Sequence, residues 1–206
     1  MKNIEVEVRG PLTKKQYLDL TQKFMKEGKF IADKNREAIC YPDPKTGSLI
    51  EDCNIDIRVR NTNGVPELVV KHGKWGAIDE SRREFSLLGQ SGKFHEMIEM
   101  LAVMGFDKGI AVVRKGKVFK YKNVEFSLVE VPSHSYFFEA EIMAEESEKS
   151  QALDEVKKIC DELKLQLFNE KTFYEYINVL NKEANKKFDF SNFDENFFGE
   201  EFERLI

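Results

Sequence analysis

The sequence predicts an α+β protein in which an antiparallel β barrel with a charged interior is wrapped by helices. Three observations carry this reading. Short stretches along most of the chain alternate apolar and charged residues, and a strand puts every second side chain on one face. The charged faces carry definite signs: Glu5, Glu7 and Arg9 in IEVEVRG, Arg58 and Arg60 in NIDIRVRN, Lys71 in ELVVKHG, Arg82 and Glu84 in ESRREFSL, Lys115 and Lys117 in VVRKGKVFKY, Glu139 and Glu141 in YFFEAEI. Helix-period segments separate the strand groups. One alternating strand is most often a half-buried strand with its charges in water. Recurrence on at least five strands favours a barrel, which places alternate residues inside. Such an interior is unfavourable if dry and empty. It is reasonable if it holds a polyanion and divalent metal ions.

The elements follow in order. The first strand opposes Ile4, Val6 and Val8 to Glu5, Glu7 and Arg9. Gly10-Pro11 breaks it, and Thr13 caps a helix through KKQYLDLTQKFMKEG, with Tyr17, Leu20 and Phe24 inward and Gly28 at its end. A short strand near 38–41 runs into the turn PDPKTG. Strands at about 54–61 and 66–72 are joined by the hairpin signal NTNG, and another covers about 81–88. A helix capped by Ser91 ends at Gly105. Strands return at about 109–114, 117–121, 124–131 and 136–143. A helix from Ser147 to Leu163 carries Leu153, Val156, Cys160 and Leu163 at helical spacing. A last helix covers about 171–184, with Phe173, Tyr176, Ile177 and Leu180 inward. The strand and helix groups make one domain, 1–184, followed by a tail, 185–206. Over 188–206 the tail holds six Phe and six acidic residues against one Arg. Exposed aromatic clusters are unfavourable, so this segment packs on the barrel or on a second subunit, which makes it a candidate homodimer contact. The other reading is a mobile partner-binding tail.

Composition narrows the function. The chain has 206 residues, of which 41% are apolar and 33% charged. A chain of this size can bury a sizeable core. No apolar run reaches the length of a membrane span, and the charged start MKNIEVEVRG is unlike a signal peptide. Three cysteines without CxxC spacing suggest reduced thiols and a cytoplasmic setting. Three scattered histidines argue against zinc. A net charge of -5 argues against an extended nucleic-acid surface, while leaving room for a local cationic pocket.

The ordered motifs resemble the CYTH superfamily, the triphosphate tunnel metalloenzymes. That family opens with E-x-E-x-K, where this chain has Glu5-x-Glu7-x-Arg9. R-x-R, a strand Lys and R-x-E follow, matched by Arg58-x-Arg60, Lys71 and Arg82-x-Glu84. A helix ending in G-F matches Gly105-Phe106, and F-x-E-x-E matches Phe137, Glu139 and Glu141. A terminal aromatic helix like KTFYEYI also follows in many members. The resemblance spans about residues 1–182. Three departures stand out. Arg replaces the motif Lys at position 9. The family's second-half K-x-R meets Arg114-Lys115-Gly116-Lys117, whose register is open by one residue. The Asp of the strand before F-x-E-x-E falls on Val129, with Glu130 adjacent and Glu125 of matching parity.

The resemblance implies a closed, eight-stranded antiparallel tunnel, open at both ends, that binds a triphosphate-containing small molecule with Mg2+ or Mn2+. It implies Glu5, Glu7, Glu139 and Glu141 as metal ligands, and Arg9, Arg58, Arg60, Lys71, Arg82 and Lys115 or Lys117 as phosphate contacts. Glu5, Glu7 and Lys71 are then the catalytic residues. Arg offers bidentate contacts to phosphate and Lys a point charge, and carboxylates reach phosphate only across a hard cation. The implied activity is metal-dependent hydrolysis of tripolyphosphate, a nucleoside triphosphate or thiamine triphosphate. The alternatives are an adenylyl cyclase making cyclic AMP and pyrophosphate, and a tunnel that binds polyphosphate or nucleotide without turnover.

Overall fold

A computed structural model describes residues 4–79, 82–194 and 196–199. Its elements run β1 (Ile4–Leu12), α1 (Lys14–Glu27), β2 (Lys29–Asp33), β3 (Arg36–Tyr41), β4 (Ile55–Thr62), β5 (Val65–His72), β6 (Ile78–Asp79) and β7 (Arg83–Leu88). They continue as α2 (Phe94–Val103), β8 (Lys108–Tyr121), β9 (Val124–Val131), β10 (Ser135–Ala144), α3 (Lys149–Glu162), α4 (Glu170–Glu183), β11 (Lys186–Asp189) and a single 3-10 turn, Phe190–Asn192. Local chemistry explains the boundaries. Thr13 and Gln16 form a reciprocal capping box at the start of α1, and Asn169 and Thr172 do the same for α4. The NTNG hairpin takes positive φ at both Asn63 (52°) and Gly64 (86°). That is the backbone of a type I′ turn.

The fold is α+β, with a curled antiparallel sheet in the order β6-β1-β10-β9-β8-β3-β4-β5-β7. Eight of these are full strands, and β6 adds two residues at one edge. The expected closed barrel is corrected here: the barrel is open. Among the described residues, β6 pairs only with β1 and β7 only with β5, so no backbone ladder joins the two edges. Side chains span the seam instead. Lys71 Nζ lies 3.4 Å from a Glu5 carboxylate oxygen, and Arg9 Nη1 donates to the Gly76 carbonyl at 2.8 Å.

The expected strands at 109–114 and 117–121 are one strand of 14 residues, β8. β2 and then β3 follow one edge of it, while β11 and β9 follow the other. Gly116 does not interrupt it, and its carbonyl accepts the Lys34 amide at 2.8 Å. β8 therefore carries both halves of the sheet.

Parity divides the side chains as the sequence implies. Val6, Val8, Phe119, Phe126, Leu128 and Phe138 pack outward under α1 and α3. Ile39, Val59, Ala111 and Val113 pack with α2 residues Phe94, Ile98 and Leu101. Each large apolar side chain contributes roughly 1.5–3 kcal/mol when fully buried. The tail joins this second core: β11 pairs with β8, and Phe188 and Phe198 are buried there. Of the tail segment, Glu195 and residues 200–206 lie outside the described residues. α4 differs from the other helices, because Phe173, Tyr176, Ile177 and Leu180 line the barrel's interior cavity. Among the described residues, no helix is long and apolar enough to cross a membrane.

Candidate active site

The inward faces of the strands enclose a cavity of about 600 Å³. That is ample for a small polyanion. β1 supplies Glu5, Glu7 and Arg9, and β10 supplies Glu139 and Glu141. β1 and β10 are paired so that Glu7 stands opposite Glu141 and Arg9 opposite Glu139. Glu5, Glu7 and Glu141 each bring a carboxylate oxygen within 4.8 Å of the others. Glu139 is drawn instead toward Arg9, whose Nε is 3.4 Å from its Oε1.

The acidic cluster is electrostatically strained. Glu7 is 2% exposed. Burial drives its carboxyl well above the usual range, Glu139 and Glu5 add to the rise, and Arg9 opposes it. Burial and the adjacent Glu5 push Glu141 up to about 8. Like charges directly opposite one another on a sheet are unfavourable. The donor set is all oxygen and anionic, which is the chemistry a hard divalent cation requires. The three carboxylates thus fit a metal ion.

Cations line the remainder. Arg9 sits at the edge of this cluster, ion-paired to Glu7, with its guanidinium 5.6 Å from the centre of the Phe173 ring. Lys71 Nζ bridges Glu5 and Glu84, the latter at 2.9 Å. Burial alone would lower its pKa, but Glu5, Glu7 and Glu84 raise it, so Lys71 is firmly charged. Arg60 pairs with Glu67 and with Glu84. Arg58 grips Asp56 in two parallel hydrogen bonds of 2.7 and 2.6 Å, and Arg82 Nη2 reaches the same carboxylate at 2.8 Å. Paired contacts of this kind fix a guanidinium in direction as well as in place.

Two sequence-predicted contacts do not reach the cavity. Lys115 and Lys117 share the parity of Ala111 and Val113, which face the outer core, so they leave the interior to Arg114 and Gly116. Lys117 Nζ pairs with Asp33 at 2.8 Å on the surface. Arg114 takes the inward place one residue earlier. The structure also places the residues near the missing family Asp. Val129 lines the cavity, whereas Glu125 and Glu130 are not among its lining residues.

Sequence reasoning missed Lys34, Arg36 and Asp56 and left the register at Arg114 open, and all four line the cavity. Parity could have found two of them. Asp56 shares the face of Arg58 and Arg60, and Arg114 that of Ile110 and Val112. Arg36 and Arg114 are direct cross-strand partners on β3 and β8. Among the described residues, neither forms an ion pair. Arg36 donates to Thr62 at 3.0 Å, and Arg114 donates to the Val113 carbonyl and to Asn185. Burial pushes both guanidinium pKa values down to about 10, with the Arg60 charge adding to the effect on Arg36.

No protein-family model matches this chain, and no curated protein matches it. Solved structures do. The PH1819 protein of Pyrococcus horikoshii is 24% identical over 87% of this chain and 99% of its own, with a TM-score of 0.68. A Vibrio parahaemolyticus protein, provisionally assigned as an adenylate cyclase, is 15% identical over 81% and 91%, with a TM-score of 0.61. A Bacillus halodurans protein with the same provisional assignment is 14% identical over 82% and 94%, with a TM-score of 0.52. These are likenesses of fold. The curled antiparallel sheet with its charged inward faces and these neighbours together show that the chain shares the fold of these solved structures.

Proposed function

We propose that this protein binds a triphosphate-containing small molecule with Mg2+ or Mn2+ in its barrel cavity and hydrolyses it. One observation carries the reading: a single cavity holds two like-charge cross-strand pairs of opposite sign, Glu7 facing Glu141 and Arg36 facing Arg114. Each pair is unfavourable in a barrel without ligand, and a cation bound beside an anion relieves both.

In this reading Glu5, Glu7 and Glu141 hold the metal ion, with Glu139 beside them. When bound, such an ion supplies Lewis-acid polarisation of a phosphoryl oxygen. Arg36, Arg58, Arg60, Arg82 and Arg114 bind and align the phosphate chain. Arg58 and Arg82 are held in place by Asp56, so they are oriented before ligand arrives. Lys71 stabilises charge and is not the base, because its carboxylate neighbours keep it protonated. In hydrolysis a water oxygen bonds to the terminal phosphorus and the bridging P–O bond breaks. The fixed cations then take up the charge gathering on the bridging oxygen.

A second reading is an adenylyl cyclase, favoured by the provisional assignment of two structural neighbours. Here the ribose 3′-hydroxyl attacks and pyrophosphate leaves. Incubation with ATP and with tripolyphosphate, each with Mg2+ or Mn2+, separates the two. Orthophosphate release from either substrate means a hydrolase, and cyclic AMP with pyrophosphate means a cyclase. Tight binding without product at any metal concentration overturns both, and leaves a binding tunnel in which Val129 stands in for the family Asp.

A further inference from the structure

A chain of polar contacts runs from the protein surface to the cavity wall, and of the motifs only KTFYEYI touches it, through Tyr176. Glu183, at the end of α4, lies 3.5 Å from His134 Nε2. His134 Nδ1 is 2.8 Å from Ser135 Oγ, and Ser135 Oγ is 2.8 Å from the Tyr176 hydroxyl. Tyr176 lines the cavity, stacked on Phe168 with ring centres 5.1 Å apart, and it lies close enough to Arg114 for the two to influence each other electrostatically.

We propose that Tyr176 is a further anion-binding residue of the cavity, and that His134, acting through Ser135, is the positioning residue that decides whether its hydroxyl can donate. The proposal rests on the reading of the cavity as a polyanion site.

Hydrogen-bond direction decides what Tyr176 can offer. In neutral His134, the Nε2–H faces Glu183 and Nδ1 is an acceptor. Ser135 then donates to His134, and Tyr176 donates to Ser135. Tyr176 has no proton left for the cavity and turns only lone pairs toward an anion. In protonated His134, Nδ1–H donates to Ser135 and Ser135 donates to Tyr176. The Tyr176 hydroxyl is then free to donate to a phosphate oxygen held by Arg114. Other charged groups frame the two ends: Lys14 and Glu130 share the surface pocket of His134, and Arg114 faces Tyr176 from β8. Among the described residues, the Tyr176 hydroxyl meets Ser135 and no carboxylate.

The test uses the full chain with Mg2+ and imidotriphosphate, whose P–N–P bridges resist hydrolysis. Calorimetry gives Kd from pH 5.5 to 8.5 for wild type, Tyr176→Phe, Ser135→Ala and His134→Gln. The probe itself titrates, so the quantity compared is the ratio of variant to wild-type Kd at each pH. Tyr176→Phe keeps the ring stacked on Phe168, and thermal melts confirm that each variant is folded. Tyr176→Phe is expected to bind roughly ten-fold more weakly at pH 5.5, the worth of a hydrogen bond to a charged group, and within two-fold of wild type at pH 8.5. Ser135→Ala leaves the Tyr176 hydroxyl free to donate at every pH, so it is expected to match wild type at pH 5.5 and to bind roughly ten-fold more tightly at pH 8.5. His134→Gln cannot titrate, so its ratio to wild type is expected to change about ten-fold between the two pH values. Ratios that do not change with pH, or a Ser135→Ala protein that binds no more tightly than wild type at pH 8.5, overturn the relay. No binding of imidotriphosphate by wild type at any pH overturns the polyanion reading itself.

Discussion

Asp56 shows how one buried carboxylate can organise cations. It is 6% exposed and holds both Arg58 and Arg82. Burial opposes its ionisation, yet the two guanidinium groups prevail and hold its carboxyl far below the usual range. A carboxylate with a depressed folded pKa contributes stability that is complete above its unfolded value of about 3.9 and is lost as pH falls below it. We therefore expect wild type to lose stability below about pH 4. Asp56→Asn should be destabilised by about 3–5 kcal/mol at neutral pH, since it removes the charged partner shared by buried Arg82 and partly buried Arg58, and it should lose less on acidification. Chemical denaturation at pH 7 and at pH 3 checks both. Glu5→Gln and Glu7→Gln should keep the fold but lower any metal-dependent turnover roughly a hundred-fold or more, because several kcal/mol of charge stabilisation goes with the ligand. Near-normal rates would remove the acidic cluster from the mechanism. Arg114→Ala should weaken tripolyphosphate binding about ten-fold, whereas Lys115→Ala and Lys117→Ala should change it less than two-fold. The opposite ranking in a binding titration would reverse the register of β8.

At the scale of elements, β1 is constrained on every side. It pairs with β10 over its whole length, and the Arg9 carbonyl accepts the Phe168 amide at 2.9 Å, which ties the approach to α4 against it. Gly10 is what permits this contact. A Cβ there would lie 1.9 Å from the Gln166 carbonyl oxygen and 2.6 Å from the Phe138 ring. Gly10→Ala must therefore push backbone against backbone, and overpacking of this kind costs about 1–3 kcal/mol or more. It should also shift α4 relative to the cavity, because Phe173 and Tyr176 ride on that helix. Thr13→Ala makes a useful comparison. It removes the cap of α1 at about 1 kcal/mol and, since α1 packs outside, should leave ligand affinity unchanged. A Gly10→Ala protein as stable as Thr13→Ala, with unaltered tripolyphosphate binding, would argue against the tight β1 to α4 contact.

For the molecule as a whole, charge inside the barrel is unevenly compensated. The motif alone suggests that the R-x-R cations repel one another. In the folded chain Arg58 has Asp56 and Arg60 has Glu67 and Glu84, and the unrelieved repulsion falls on Arg36 and Arg114. Arg36→Met should accordingly raise the melting temperature of the ligand-free protein by about 2–4 °C per kcal/mol of strain removed, while weakening tripolyphosphate binding. Wild type should gain stability when tripolyphosphate is added, by about 2.7 kcal/mol at a hundred-fold excess over Kd. Arg36→Met should gain less. A variant that melts lower than wild type without ligand would place the strain elsewhere.

Alternation at a period of two needs no knowledge of the partner strand, so the chain alone reveals which face of each strand is charged. The order of strand groups and helices is legible for the same reason. The NTNG turn, the Thr13 cap and the inward placing of Glu5, Glu7, Arg58, Arg60 and Lys71 all follow from local pattern. Other features depend on which distant segments meet. Whether the sheet closes turns on β6 and β7 finding different partners, a non-local matter, and the barrel stays open. β8 reads as two strands because Gly116 resembles a break, but strands on both its edges hold it straight, and its register hands the inner face to Arg114 and denies it to Lys115 and Lys117. The choice of Glu141 over Glu139 as the third member of the acidic cluster follows from the pairing of β1 with β10. That pairing sets Glu139 opposite Arg9, and no period in the sequence encodes which residues two distant strands bring face to face.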